Sequence, residues 1–478
     1  MRFAVPFSTI SFAAFALLLS CKQAIAADSL ESLLEKSRAA SGAPYRYHVV
    51  SRSHENRNGH SYNVTTETEG LKYRARECVR ALCTSGFYFD GERSFDTNFN
   101  DTALPLSARV DALQLTLRAI ASYAFTSPTF RSDGGQIEDR ETILRDGKKF
   151  RRIAVAPRLG ALLEAVIDPD TGLVAGVISE ERRLAFEFRD QRKVGNRITL
   201  PYAIELNGVE IERFDDRSID PAPLAAPPGI VPQLPAGGAS VTMSRSDAPL
   251  VPCSIGGQNV SCLFDTGNSG LSLSTELAAK LGLSVQTGGV LPASSALAGV
   301  AKAPALAVGG ATFPSAQYVV IGGIHALGYD VVLGADAFAH ARVTFDFAKR
   351  TVSIAPAGPA VANGLALDFE NFVPAIDVEL GGVPVQLPID SGDASAVDLA
   401  ADYATGHPAA AGASVTARVG GSEIARVRVD TAKRPNAPNP GVIGSALLQH
   451  FVTTFDYAHA RVGLAPRAGD PDVRPVHP

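Results

Sequence analysis

The chain has 478 residues, 44 Lys plus Arg against 49 Asp plus Glu, and 46% hydrophobic positions, which is room for about three domains. A net charge of -5 with a 19% charged fraction excludes a nucleic-acid binder driven by global charge and equally a disordered acidic chain. Beyond the first thirty residues no run of eighteen apolar residues occurs, which excludes an internal membrane-spanning helix.

Residues 1–27 read as an export signal, with Arg2 as the positive start, an apolar core from Phe12 to Leu19 and a small-residue cleavage site at Ala24-Ile25-Ala26. Leu18-Leu19-Ser20-Cys21 also resembles the lipobox of bacterial lipoproteins. Two outcomes stay open: cleavage after Ala26, giving a periplasmic or secreted protein, or lipidation at Cys21, giving membrane attachment as an envelope lipoprotein.

Residues 28–216 open with a helical pattern from Ser29 to Ala40. They then alternate strands with turns, for example Arg46 to Ser51, Ile153 to Pro157, Leu173 to Ser179 and Ile198 to Leu206, with one further helix at Arg109 to Ala124. A curved antiparallel sheet with helices on one face, an α+β domain, would bury that pattern. The stretch GFYFDGERSFDTNF, the turn DPDTGLV and the strand ITLPYAIEL resemble periplasmic domains with the fold of outer-membrane lipoprotein carriers. From Ile219 to Gly238 six prolines, each with a fixed φ and no N–H, mark a linker placed at 217–240.

With Cys21 set aside, four cysteines remain in two local pairs, Cys78 with Cys83 and Cys253 with Cys262. An even count in an exported chain favours disulfides. Leu250 to Ile255 and Asn259 to Phe264 read as strands about a Gly257-Gln258 type II′ turn, which sets Cys253 directly opposite Cys262 as a non-hydrogen-bonded pair. Two buried free thiols are the alternative. No His joins either pair at ligand spacing, so no metal is expected.

After the linker the chain repeats itself. Placing Asp265 over Asp390, 125 positions apart, brings Pro249 onto Pro374, Gly256-Gly257 onto Gly381-Gly382 and Phe264 onto Ile389. VVLGADAFAHARVTFDF (331–347) matches GVIGSALLQHFVTTFDY (441–457) at an offset of 110. The copies are placed at 241–358 and 359–468, with a tail at 469–478. Each presents an apolar strand, Asp-Thr/Ser-Gly, a further apolar run, and then an apolar pair with Gly: CLFDTGNSGLSLS and VVLGA, then LPIDSGDASAVDL and GVIGS. Here the chain resembles aspartic proteases of the retropepsin and pepsin type, over about residues 240–466.

The resemblance implies a mostly β architecture: two retropepsin-like lobes in tandem about a pseudo-twofold axis, each giving one Asp loop. Independently of the family, amide hydrolysis by water needs a base for the water and an acid for the carbonyl oxygen, and two adjacent carboxyls that share one proton supply both. Asp265 and Asp390 would be that pair and would require no cofactor. Gly267 and Gly392, lacking Cβ, let the loops approach, and by resemblance Thr266 and Ser391 hydrogen-bond across the lobe interface. The chain holds its own control in Asp170-Thr171-Gly172, which follows Asp168-Pro169 and reads as a surface turn.

The sequence departs from the family in two places. Asn268 and Asp393 follow the two triplets where Ala, Ser or Thr is usual; Asn268 can still donate, whereas an ionised Asp393 cannot, and it is read as facing solvent or capping the next turn. The second departure is length: 43 residues separate Asp265 from Val308, but 29 separate Asp390 from Val419. Copy one therefore carries a longer segment at 285–303, where the family has its flap. Gly288-Gly289 and Gly299 are candidate hinges, and Val290, Leu291 and Leu297, with Gly289, candidate substrate contacts; a plain connecting loop is the alternative. The reading is an exported monomeric aspartic endopeptidase acting on peptide or protein, with no nucleic acid. The alternative is a non-catalytic envelope binding module with a lipid- or lipoprotein-binding N-terminal domain. Residues 28–216 bind a partner, shield the cleft, or are removed as a pro-region.

Overall fold

The computed structural model describes residues 29–476 except 58–59, 80–81, 85, 107, 146, 180, 288–296 and 433–438. The export signal, Cys21, and the flap candidates Gly288, Gly289, Val290 and Leu291 lie outside the described residues. The chain is mostly β, a protease-like pair of β-lobes preceded by antiparallel sheets.

In the N-terminal region the strands divide between two sheets rather than one. A seven-stranded meander runs from Gln136–Arg145 to Val209–Arg213, each strand beside its sequence neighbour. An eight-stranded sheet contains His48–Arg57, His60–Glu69 and Lys72–Val79 and takes its edge strand, Asp216–Asp220, from the end of the domain. The helix Leu30–Ser41 begins where the Ser29 hydroxyl accepts from the Ser32 N–H, and ends at Gly42, whose φ of 72° is left-handed. It buries Leu33 and Leu34, and the helix Ala108–Ala121 buries Ile120, against Ile153, Val155 and Ile167 of the meander. The Asp170-Thr171-Gly172 triplet is a turn between Leu163–Ile167 and Val174–Ser179, closed by Asp168, which accepts from the Asp170 N–H and the Thr171 hydroxyl.

The linker is not a free tether. Leu224 and Ile230 are buried, and Gln233 exchanges two backbone hydrogen bonds with Thr312 of the first lobe. Each lobe then folds around an eight-stranded sheet, and a six-stranded sheet spans both. At its centre Ala341–Asp346 pairs antiparallel with its own duplicate, Phe451–Asp456. The equivalent Thr344 and Thr454 face each other, Oγ1 to Oγ1 at 3.0 Å, which marks the pseudo-twofold axis. Phe345 and Phe455, 5.5 Å between ring centroids, and Phe338 stacked on Tyr457 at 5.2 Å fill the space below that sheet.

The first hairpin of the lobe corrects the expected register. Leu250–Ile255 pairs with Gln258–Phe264 so that Ile255 faces Gln258, and the two-residue turn is Gly256-Gly257 with φ of 55° and 78°. Both turn residues are left-handed, the type I′ pattern, and Gly381-Gly382 repeats it in the second lobe at 57° and 83°. Cys253 therefore faces Val260, Cys262 faces Val251, and the disulfide runs along the diagonal with Cα atoms 5.9 Å apart. Cys78 and Cys83 are also bonded, directly opposite one another. Neither pair is free thiol.

Candidate active site

One local construction, used twice, delivers Asp265 and Asp390. In the first lobe Gln258–Phe264 lies parallel to Val331–Leu333, and the Asp265 N–H donates to the Leu333 carbonyl at 2.9 Å. In the second, Ile389 bridges Ile443 in parallel and the Asp390 N–H donates to the Ile443 carbonyl at 2.8 Å. The glycine after each apolar pair takes the loop against its bare Cα. A Cβ on Gly334 would strike the carbonyls of Asn268 and Gly270, and one on Gly444 would strike those of Asp393 and Ser395.

Between the lobes the triplets interlock. The Thr266 hydroxyl donates to the Ile389 carbonyl at 2.7 Å and accepts from the Ser391 N–H at 3.0 Å; the Ser391 hydroxyl donates to the Phe264 carbonyl at 2.9 Å and accepts from the Thr266 N–H at 3.0 Å. Both side chains are fully buried. Unmaking any of these bonds would strand a buried polar group, at about 1–3 kcal/mol each. The interlock brings the carboxyls together. A Cβ on Gly267 would lie 2.5 Å from the Asp390 carboxyl carbon, and one on Gly392 would lie 2.8 Å from that of Asp265, so no larger residue fits either position. The Gly267 N–H donates to Asp265 Oδ1 at 2.8 Å, and the Gly392 N–H to Asp390 Oδ1 at 3.0 Å.

The Asp265 carboxyl is held well above the usual carboxylate range by burial first and then by the charge and hydrogen bond of Asp390, with the N–H groups of Gly267 and Gly392 opposing. Tyr329 stands close enough to feel both: its phenol is made less acidic by burial and then by the charges of Asp265 and Asp390. Sequence reasoning passed over this residue, although it lies just before the apolar pair and glycine. The residues after the triplets serve their own loops. Asn268 Nδ2 donates to the Gly270 carbonyl at 3.1 Å and the Ser272 hydroxyl at 3.0 Å rather than to a carboxylate. Asp393 accepts from the Ser395 N–H at 2.8 Å, capping the turn that follows.

Of the flap candidates, Leu297 begins the strand Leu297–Ala303, which pairs with Ala316–Ile321. Gly299 is demanded by close approach, since a Cβ there would meet the Gln286 carbonyl. Val300, fully buried, packs on Tyr62 and Val79 of the N-terminal domain, and the Gln286 side chain donates to the Val79 carbonyl at 3.3 Å.

A second contact with the N-terminal domain lies directly behind the Asp265 loop, and no sequence reading anticipated it. Asp336, two residues after Gly334 and fully buried, accepts from Asn98 Nδ2 at 2.8 Å, Asn100 Nδ2 at 2.7 Å and the Thr102 hydroxyl. Asn98 Nδ2 also donates to the Ser269 carbonyl at 2.9 Å, on the Asp265 loop itself. The Asn100 side chain bonds both backbone groups of Gln317, at 2.9 and 3.0 Å, while Phe99 fills the space beside Gly270. Copy two has Ala446 where copy one has Asp336, which was the one available signal.

Residues 251–337 match the family model described as aspartyl protease. The match contains Asp265, its loop and the backing Gly334, and so falls on the copy bearing the longer 285–303 segment. No curated protein matches the chain. Among the described residues no group of three or more His, Cys, Asp or Glu is arranged to hold a metal ion, and no helix is long and apolar enough to cross a membrane.

Proposed function

We propose that this chain is an exported aspartic endopeptidase in which Asp265 and Asp390 share one proton and activate a water between them. The reciprocal hydrogen bonds of Thr266 and Ser391 carry the reading, because they hold the two loops together across the lobe boundary with Gly267 and Gly392 lying against the opposite carboxyls. The ionised carboxyl of the pair takes a proton from the water as its oxygen attacks the peptide carbonyl carbon, and the protonated carboxyl gives its proton to the carbonyl oxygen. The tetrahedral diol collapses as the nitrogen is protonated and the C–N bond breaks, which leaves the pair singly protonated again. Because the proton is common to the pair, neither Asp is assigned a fixed role.

The substrate is a peptide or protein, both lobes come from one chain, and a monomer suffices. The protein works in the periplasm or outside the cell, free or tethered through Cys21. Incubating the mature protein with a diverse peptide pool from pH 3 to 8 tests the reading. Cleavage should peak at acidic to mildly acidic pH and fall by several orders of magnitude in both Asp265→Asn and Asp390→Asn. Undiminished cleavage by either variant would overturn the assignment.

A further inference from the structure

Between the two sheets of the N-terminal domain lies a cavity of about 100 Å³, far from the Asp pair in sequence and built from different chemistry. One part of its wall is apolar, from Val49, Phe188, Leu200, Ile204 and Phe214, while Ser51, Thr66 and Thr68 add hydroxyls, and its volume exceeds what a single water needs. Two guanidinium groups also line it, Arg118 from the helix Ala108–Ala121 and Arg217 from the strand Asp216–Asp220. Neither lies within 4.0 Å of a carboxylate among the described residues. Arg118 is stacked on the Tyr73 ring at 3.5 Å and bonded to the neutral Gln114 side chain, and Arg217 is stacked on Phe214 at 3.7 Å.

Ring faces offset part of the cost of burying a cation but accept no N–H hydrogen bond in the guanidinium plane. Two of the residues lining the cavity each bury a polar group without a partner among the described residues: Arg217 its Nε and Ser122 its hydroxyl. Buried cations and donors without acceptors are destabilising, and an anion supplied from outside would satisfy both.

We propose that this cavity binds a small organic anion, a carboxylate with a short apolar tail, whose oxygens accept from Arg217 Nε and the Ser122 hydroxyl while the tail lies against Val49, Phe188 and Leu200. Glu212 shares the cavity and makes binding pH-dependent. Burial pushes its carboxyl up to about 7 against the opposing pull of Arg217 and Arg118, with Glu55 adding a smaller push upward. Below that value Glu212 is neutral and tolerates a second carboxylate; above it the two repel. Burial weakens the hold of Arg118 on its proton and lowers Arg217 to about 10, so both stay charged between pH 6 and 8, and Tyr73, whose phenol is made less acidic by burial, stays neutral; Lys72 also lines the cavity.

Isothermal titration of the full mature chain at constant ionic strength, with hexanoate, hexylamine and sulfate as probes at pH 6 and pH 8, tests the site. Hexanoate should bind at pH 6, more weakly at pH 8, and in preference to both other probes. Arg217→Met should weaken it by at least about tenfold. Glu212→Gln, nearly isosteric and safe for the fold, should bind hexanoate equally at the two pH values. No hexanoate binding, sulfate binding as well as hexanoate, or a pH dependence that survives in Glu212→Gln would each overturn the proposal.

Discussion

The proton shared by Asp265 and Asp390 carries a cost that can be read at Asp265 without any substrate. Burial and the neighbouring Asp390 raise its pKa in the folded chain above the unfolded value near 4. The folded state therefore keeps a proton at pH values where the unfolded chain has released it. Stability contributed by this group is full below about pH 4 and declines as pH rises toward Asp265's own titration. Asp265→Asn removes the titration and keeps the shape. Its melting temperature relative to the parent should rise as the pH is raised above 4, as differential scanning calorimetry would record; a difference independent of pH would refute the argument. This residue was legible in the sequence because the chain states it twice, and each copy follows an apolar strand. Tyr329 was not, since a single Tyr without a duplicate has no second context to mark it.

Hairpins and loops were legible in kind and misread in register. Gly-Gly followed by Gln allows a turn at Gly257-Gln258 or at Gly256-Gly257, and the difference moves every cross-strand partner by two positions, so that Cys253 faces Val260 in place of Cys262. Two left-handed glycines decide it, because only a type I′ turn lets Ile255 and Gln258 close the ladder. The disulfide survives the shift since a diagonal pair is still within bonding range. It closes a short loop, so its contribution should be about 2–3 kcal/mol. The second lobe shows what replaces it: Val378 and Leu387 occupy the matching positions, both buried. Replacing both cysteines with Ser should lower the denaturant midpoint of the first lobe. The pair Cys253→Val with Cys262→Leu should recover most of that loss, as tryptophan-free monitoring by circular dichroism would reveal. Equal losses in the two variants would show that packing cannot substitute here.

At the scale of the whole molecule, the question is whether the N-terminal domain can leave. The sequence could not answer it, because Asp336 and its partners Asn98, Asn100 and Thr102 are more than 230 positions apart and nothing in a polar loop announces a distant carboxylate. Removal of the domain would take three donors from a fully buried carboxyl, a loss of several kcal/mol. It would also uncover Val300, held against Tyr62 and Val79, and withdraw Leu104 from the core it shares with the lobes. These losses fall on the Asp265 loop and on the strand leading from the longer segment, so a detached pair of lobes would lose order where the proposed chemistry needs it. A specific protease site inserted at the exposed Ala225-Ala226 of the linker separates a retained domain from a pro-region. After complete cleavage the two parts should elute together in size-exclusion chromatography and keep the peptidase activity of the uncut chain. Asp336→Ala, which removes the shared acceptor, should let them separate at lower denaturant concentration. Spontaneous separation of the nicked parent, with the lobes still active, would make residues 28–216 a pro-region after all.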